Sequence, residues 1–420
     1  MGWARTAAVV GLAAAAGTAG AQTRQEVTGP TAVYWMSAQT TSGMAAMMGA
    51  MGAGPGAGGP GARRPSMGAM MGMMMGGGLG GPGGMGAAQH SLTLQLGSAR
   101  TAQGAPSAEH LPPQGLGAGP SLPLVTPTAA PAQRVEEEPT LPQEYQKPRG
   151  RMLIFWGCGA EARPGQPLVI DFSKLTPQAM AAGQLPPGFE AMSRGLAITP
   201  MRPPAPGRNA TYGEWPNART RTSVPGEGSL VGAHTVRGNY TPQIEFQLAQ
   251  NQDFLAPLRL RTSQAPSGAG LLNWGAIPGA KAYLATAIGG GDGETVVLWT
   301  SSEVQASAFS LPDYISPGDL DRLVQQKALM APATTQCAIP RQVVAAAPQA
   351  MVQLAAYGGE ANFVYPPRPS DPKVPWKQEW QVKVRYRSAT SAMLGMDMDA
   401  MMGGDDEEEA PRRPFGLPRF

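Results

Sequence analysis

Residues 378–388 read QEWQVKVRYRS, and the order of side chains in that stretch decides the fold class. Trp380, Val382, Val384 and Tyr386 fall on one side of an extended chain, and Gln381, Lys383, Arg385 and Arg387 on the other. Successive side chains of a strand point to opposite faces, so this pattern predicts an antiparallel strand with one apolar face and one wet face.

Working outward, other short runs repeat the signal. Thr295 to Thr300 (TVVLWT), Ala282 to Ile288, Leu271 to Trp274 and Leu258 to Arg261 read as strands, separated by Gly- and Pro-containing turns. Further upstream come Thr31 to Met36 (TAVYWM), Ser91 to Leu96 (SLTLQL), Arg151 to Trp156 (RMLIFW), Leu168 to Phe172 (LVIDF) and Thr241 to Gln247 (TPQIEFQ). One helix interrupts them near 317–329. Ser316 stands as N-cap, Pro317 at the first helical position and Asp319 in the first turn, with Leu320, Leu323, Val324 and Leu329 along one side. The expected fold is mainly β, with two antiparallel sandwich-like domains over 89–256 and 257–391 and the helix inserted in the second.

Composition frames the rest. The chain has 420 residues with 56 Gly and 43 Pro, close to a low-complexity composition, yet 42% hydrophobic residues suffice for packed cores. Its formal charge of +3 comes without a basic block, which argues against nucleic acid as a partner. Arg5 precedes a short apolar run, Ala7 to Ala16, and an Ala19-x-Ala21 pattern, the layout of an export signal over 1–21 with Gln22 as first mature residue. The run is about half of the roughly 20 residues a membrane helix needs. No later segment is long enough either, so the expected address is the periplasm or beyond. Residues 22–42 hold a strand, 43–88 form a Gly/Met-rich tract expected to be disordered, and 392–420 form a Met-rich, acidic tail.

The residues Leu272, Trp274, Ile277, Pro278, Gly279, Ala280 and Tyr283 resemble the early-strand Trp and following Gly and Tyr of a fibronectin type III domain, which implies a β-sandwich used for adhesion or spacing. The blocks RMLIFWGCG, TYGEWPN, GNYTPQIEF and VVLWTSSE resemble a family of exported alphaproteobacterial proteins. That likeness spans about residues 90 to 395 and carries no catalytic residues.

Candidate chemistry is sparse. His90, His110 and His234 have no metal-ligand spacing, no nucleophile or phosphate-loop motif is present, and no cofactor is implied. Two acidic residues sit in aromatic loops: Glu214, flanked by Tyr212 and Trp215, and Glu303 at the end of VVLWTSSE. Such carboxylates could serve a carbohydrate-active enzyme if a pair stood about 5 to 10 Å apart, with Tyr212 and Trp215 as a ligand platform. The plainer reading is a charged loop whose aromatics cap a sheet edge. Cys158 and Cys337, the only cysteines, could close one disulfide worth up to roughly 5 kcal/mol, or remain two buried thiols. Of 24 Met, 12 fall between Met36 and Met85; Met70, Met71, Met73, Met74 and Met75 could gather soft thioethers around Cu(I), or serve only as flexible filler. The leading expectation is a non-enzymatic envelope protein that binds a protein or glycan.

Overall fold

The structure is a computed structural model that describes residues 25–50, 88–127, 150–174, 196–220, 222–290, 294–304 and 311–395. In chain order the strands begin with β1 (Val27–Thr28), β2 (Ala32–Ser42), β3 (Gln89–Ser98), β4 (Ala108–Leu111), β5 (Leu122–Leu124) and β6 (Arg151–Trp156). Next come β7 (Leu168–Asp171), β8 (Thr211–Trp215), β9 (Gly232–Gly238), β10 (Ile244–Leu248), β11 (Arg261–Gln264) and β12 (Gly270–Asn273). The last are β13 (Ala280–Gly290), β14 (Thr295–Thr300), β15 (Gln336–Ile339), β16 (Met351–Tyr365), β17 (Trp376–Lys377) and β18 (Trp380–Met393). The helices are α1 (Gly43–Ala50), α2 (Pro317–Gln325) and α3 (Arg341–Ala346).

The chain is mainly β, and its frame is a nine-stranded sheet in the order β7-β6-β14-β13-β16-β18-β2-β3-β8. Two pairings in it are parallel, β14 with β6 and β18 with β2, so this sheet is mixed rather than purely antiparallel. These parallel pairs join strands far apart in sequence, and they interleave segments from both sides of residue 256. The segments expected as separate sandwiches therefore share one sheet. A four-stranded sheet (β10-β9-β4-β5) and a three-stranded sheet (β11-β12-β15) accompany it, with a small β1-β17 pair.

Burial follows the alternation of side chains. On β2 and β18, Tyr34, Met36, Val382, Val384 and Tyr386 face a core shared with Leu122, Val236, Ile244 and Leu248 of the four-stranded sheet. A second core gathers Tyr283, Trp299 and Leu354 of the large sheet with Leu272, Ile339 and Val343 of the three-stranded sheet and α3. The disulfide Cys158–Cys337, with Cα atoms 5.4 Å apart, ties the end of β6 to β15 within this core. Trp274 and Tyr283 meet at 5.7 Å between ring centres in the same place. A third cluster packs Leu320 and Leu323 of α2 against Ala282, Leu284, Ala355 and Tyr357.

Several local readings are corrected. Leu258 is buried in an irregular segment, its carbonyl accepting from Ser42 Oγ at 2.6 Å, and the strand begins only at Arg261. TYGEWPN is not a loop: Thr211–Trp215 is the edge strand β8, ended by Pro216, which cannot donate to a ladder. The expected disordered tract starts with a helix, because α1 leaves β2 at Gly43 and packs near β18, burying Ala46. Gly43 is needed there: its φ is 62°, and a Cβ would stand 2.6 Å from Thr390 Oγ1.

α2 is capped as its sequence predicts. Ser316 Oγ accepts from the Asp319 amide at 3.3 Å and donates to Asp319 Oδ2 at 2.9 Å. The segment 1–21, Met70, Met71, Met73, Met74 and Met75, and the tail after 395 lie outside the described residues.

Candidate functional site

The face of β18 that reads as wet is not simply solvated. Register places three rows across β16, β18 and β2: Asn362, Lys383 and Trp35; Glu360, Arg385 and Ser37; Tyr357, Arg387 and Gln39. Opposite charges facing each other across Glu360 and Arg385 would normally pair. Instead Glu360 forms its ion pair with the diagonal neighbour Lys383. Arg387 is held by Asp313 at 2.9 Å and by the Gln39 amide oxygen at 3.1 Å.

Arg385 is left without a carboxylate among the described residues. Its guanidinium lies over two rings, 4.7 Å from the centre of Trp35 and 4.4 Å from that of Tyr314, and one of its nitrogens donates to Ser37 Oγ. Burial pulls its pKa below the usual arginine value, against the opposing influence of Tyr314, Glu360 and Asp313. Burial likewise pushes the Tyr314 hydroxyl up to about 12, with the two arginines pulling it back.

Seven buried side-chain nitrogen or oxygen atoms lack a hydrogen-bond partner among the described residues, and three of them, Glu360 Oε1, Arg385 Nε and Arg387 Nε, belong to this charged row. Buried polar groups are almost always satisfied, so three exceptions grouped together set this part of the sheet apart. Beside it lies a cavity of about 510 Å³, within the range of small-ligand sites. Arg385 and Tyr314 line it, and the segments 196–203 and 311–313 supply an apolar wall that includes Leu196, Ile198, Met201 and Leu311. Counting Lys383, Arg385 and Arg387 against Glu360 and Asp313, the surroundings carry a net positive charge of one. A second hollow of about 590 Å³ beside α3 has Arg341 as its charged group, already paired with Glu161 at 3.0 Å.

The residues singled out from sequence are placed elsewhere. Glu214 sits on β8, where its carboxylate accepts from the Tyr212 hydroxyl at 2.7 Å. Glu303 follows β14 and is ion-paired with Arg163. Along the sheet β8 and β14 are six strand spacings apart, about 29 Å, against the 5 to 10 Å of a glycosidase pair. Tyr212 and Trp215 are each only 3% exposed, so their rings pack the sheet edge rather than offering a platform.

His110 and His234 do meet, at 3.0 Å, in the core with Tyr34. His90 stacks instead on Phe254 at 3.9 Å. Among the described residues no three His, Cys, Asp or Glu side chains are grouped to hold a metal. The cleft escapes sequence reading because its signal, three cations at alternate positions of a strand, is also that of a solvated face.

Compared with protein-family models, with curated proteins and with solved structures, the chain matches none.

Proposed function

We propose that the protein is an exported, non-enzymatic component of the cell envelope that holds an anionic group of its ligand in the Arg385 cleft. The observation that carries this reading is the buried guanidinium, against the rings of Trp35 and Tyr314 beside a 510 Å³ cavity, with no carboxylate paired to it among the described residues. A buried charge lacking a counter-ion is costly, and such groups persist where a ligand supplies the partner. The export signal motivates the address, and no helix among the described residues is long and apolar enough to cross a membrane. Glu214 and Glu303 are each engaged on separate stretches of the sheet, and no observation favours them as a hydrolytic pair.

The test is capture from envelope extracts by the mature chain beside its Pro200→Trp variant, which places a bulky ring at an exposed position of the cleft wall. A protein or glycan retained by the wild type and released by the variant is the expected result. Equal retention by both would remove the cleft from the function.

A further inference from the structure

We infer that the ligand group received by the Arg385 cleft is a single carboxylate carried on an apolar body. The inference rests on the cleft being a ligand site and adds the chemical class. Its first support is the way the guanidinium is held. A guanidinium is flat, and its five N–H donors point outward in its own plane. The rings of Trp35 and Tyr314 stand 4.7 and 4.4 Å from it and contribute cation–π attraction, but a ring face supplies no lone-pair acceptor for its N–H donors. Ser37 takes one of those donors, and Nε is buried away from the cavity, so the donors left for a ligand are terminal N–H groups of the side chain that lines it. A partner for them is an acceptor lying at the edge of the guanidinium. A carboxylate, whose two oxygens match the fork of Arg, fits that geometry.

The second support is charge. Lys383 is committed to Glu360, and Arg387 to Asp313 and Gln39, so one positive charge remains for a ligand. With Asp313, which also lines the cavity, balanced by Arg387, a singly charged group is neutralised by Arg385 and a phosphate dianion would keep one uncompensated charge. The third support is the wall. Pro200, Pro203 and Pro312 have no amide N–H to offer, and Leu196, Ile198 and Leu311 present hydrocarbon. A sugar acid would bring several hydroxyls to a surface with few partners for them, whereas an alkyl or aryl body would lose water-exposed apolar area.

Titration calorimetry on the mature full-length chain, with octanoate as probe, tests the class against octanamide, glucuronate and inorganic phosphate at one ionic strength. Octanoate should bind one to one and at least roughly tenfold more tightly than each of the other three, since only it supplies a lone carboxylate on an apolar chain. Arg385→Lys, which keeps the charge but loses the fork and the ring stacking, should weaken octanoate about tenfold or more. Pro200→Trp should abolish binding from a loop position that leaves the sheet intact.

Octanamide binding as tightly as octanoate would overturn the inference, because the cleft would then be merely apolar. Tighter binding of phosphate or glucuronate, octanoate binding unchanged in both variants, or no binding of octanoate would overturn it as well. If envelope capture depends on the cleft while octanoate fails, the class is wrong and the site stands. If capture is also independent of the cleft, the site reading falls with it.

Discussion

Tyr34 and Trp35 are adjacent in β2 and open onto two buried polar clusters that are built in opposite ways. On the Tyr34 side one chain of bonds runs without a gap from the Leu230 carbonyl to the Tyr34 hydroxyl, although the Tyr240 hydroxyl of the same core has no partner among the described residues. His234 Nε2 lies 2.7 Å from the Leu230 carbonyl, which can only accept, so that nitrogen carries the proton. Nδ1 of a neutral His234 must then accept from His110 Nε2 at 3.0 Å, and His110 Nδ1 must accept from the Tyr34 hydroxyl at 2.6 Å. One carbonyl thus fixes two tautomers and a hydroxyl direction.

On the Trp35 side a charge is buried as deliberately, yet Arg385 Nε, Arg387 Nε and Glu360 Oε1 are left without partners. The contrast separates two uses of buried polarity. A closed chain of hydrogen bonds specifies the packing of its core, and an open group beside a cavity is what the proposed ligand site rests on.

The largest expected effect comes from opening the closed side. His110→Ala would leave the Tyr34 hydroxyl and a nitrogen of His234 unsatisfied in the core and add a cavity, a loss of about 3 to 5 kcal/mol. Urea unfolding measures it. A loss below about 1 kcal/mol would mean that the chain of bonds is incidental to the packing.

Acid should act on the same side. Burial pushes His110 well below the ordinary histidine value, with His234 adding to the effect, and burial pushes His234 down to about 4 although its bond to Leu230 opposes the shift. In the unfolded chain each takes up a proton near pH 6.5. Between that pH and the folded values the unfolded state binds more protons, so stability is full above about pH 6.5 and falls on acidification. The slope is about 1.4 kcal/mol per pH unit for each histidine, about 2.7 for the two together. His90, also lowered by burial, has the same sign. Unfolding at pH 7.5 and 5.5, with wild type beside His234→Asn, measures this contribution. A variant as acid-sensitive as the wild type would assign the loss to other groups.

How much of this was legible follows the range over which each feature is encoded. β6 and β14 coincide with RMLIFW and TVVLWT, and α2 starts at its predicted cap, because strand alternation and capping are written within a few residues. β16 was not read. Its sequence MVQLAAYGGEANFVY mixes Ala with Gly358 and Gly359 at a register shift, where a Cβ on Gly358 would stand 2.7 Å from that of Tyr386. The glycines that break the pattern are the ones that let the strands approach.

The cleft was illegible for a related reason. Arg385 and Arg387 read as a solvated face, since nothing beside them in sequence reveals that Trp35 arrives through a parallel pairing or that Tyr314 meets Arg385 from a distant loop. TYGEWPN misled in the reverse direction: its Gly and Pro suggested a loop, while Gly213 lies in a strand against the Tyr240 hydroxyl, where a Cβ would stand 2.5 Å away.

The smallest expected effect is the sharpest test of the comparison. Arg385→Leu removes the two ring contacts and the bond to Ser37, and it also removes a buried charge that no described carboxylate pairs. Replacing a buried charge with a hydrocarbon of similar reach is often neutral or stabilising, because the lost attraction is offset by the desolvation no longer required. The freed Ser37 hydroxyl is the main new debt, since its partner disappears while it stays buried. The two terms nearly cancel, and the net change expected is within about 1 kcal/mol in either direction. Urea unfolding at neutral pH, run beside His110→Ala, reads both sides of β2 on one scale. A loss above about 3 kcal/mol for Arg385→Leu would make the guanidinium a structural element like the histidines, and the two sides of the strand would no longer differ in kind.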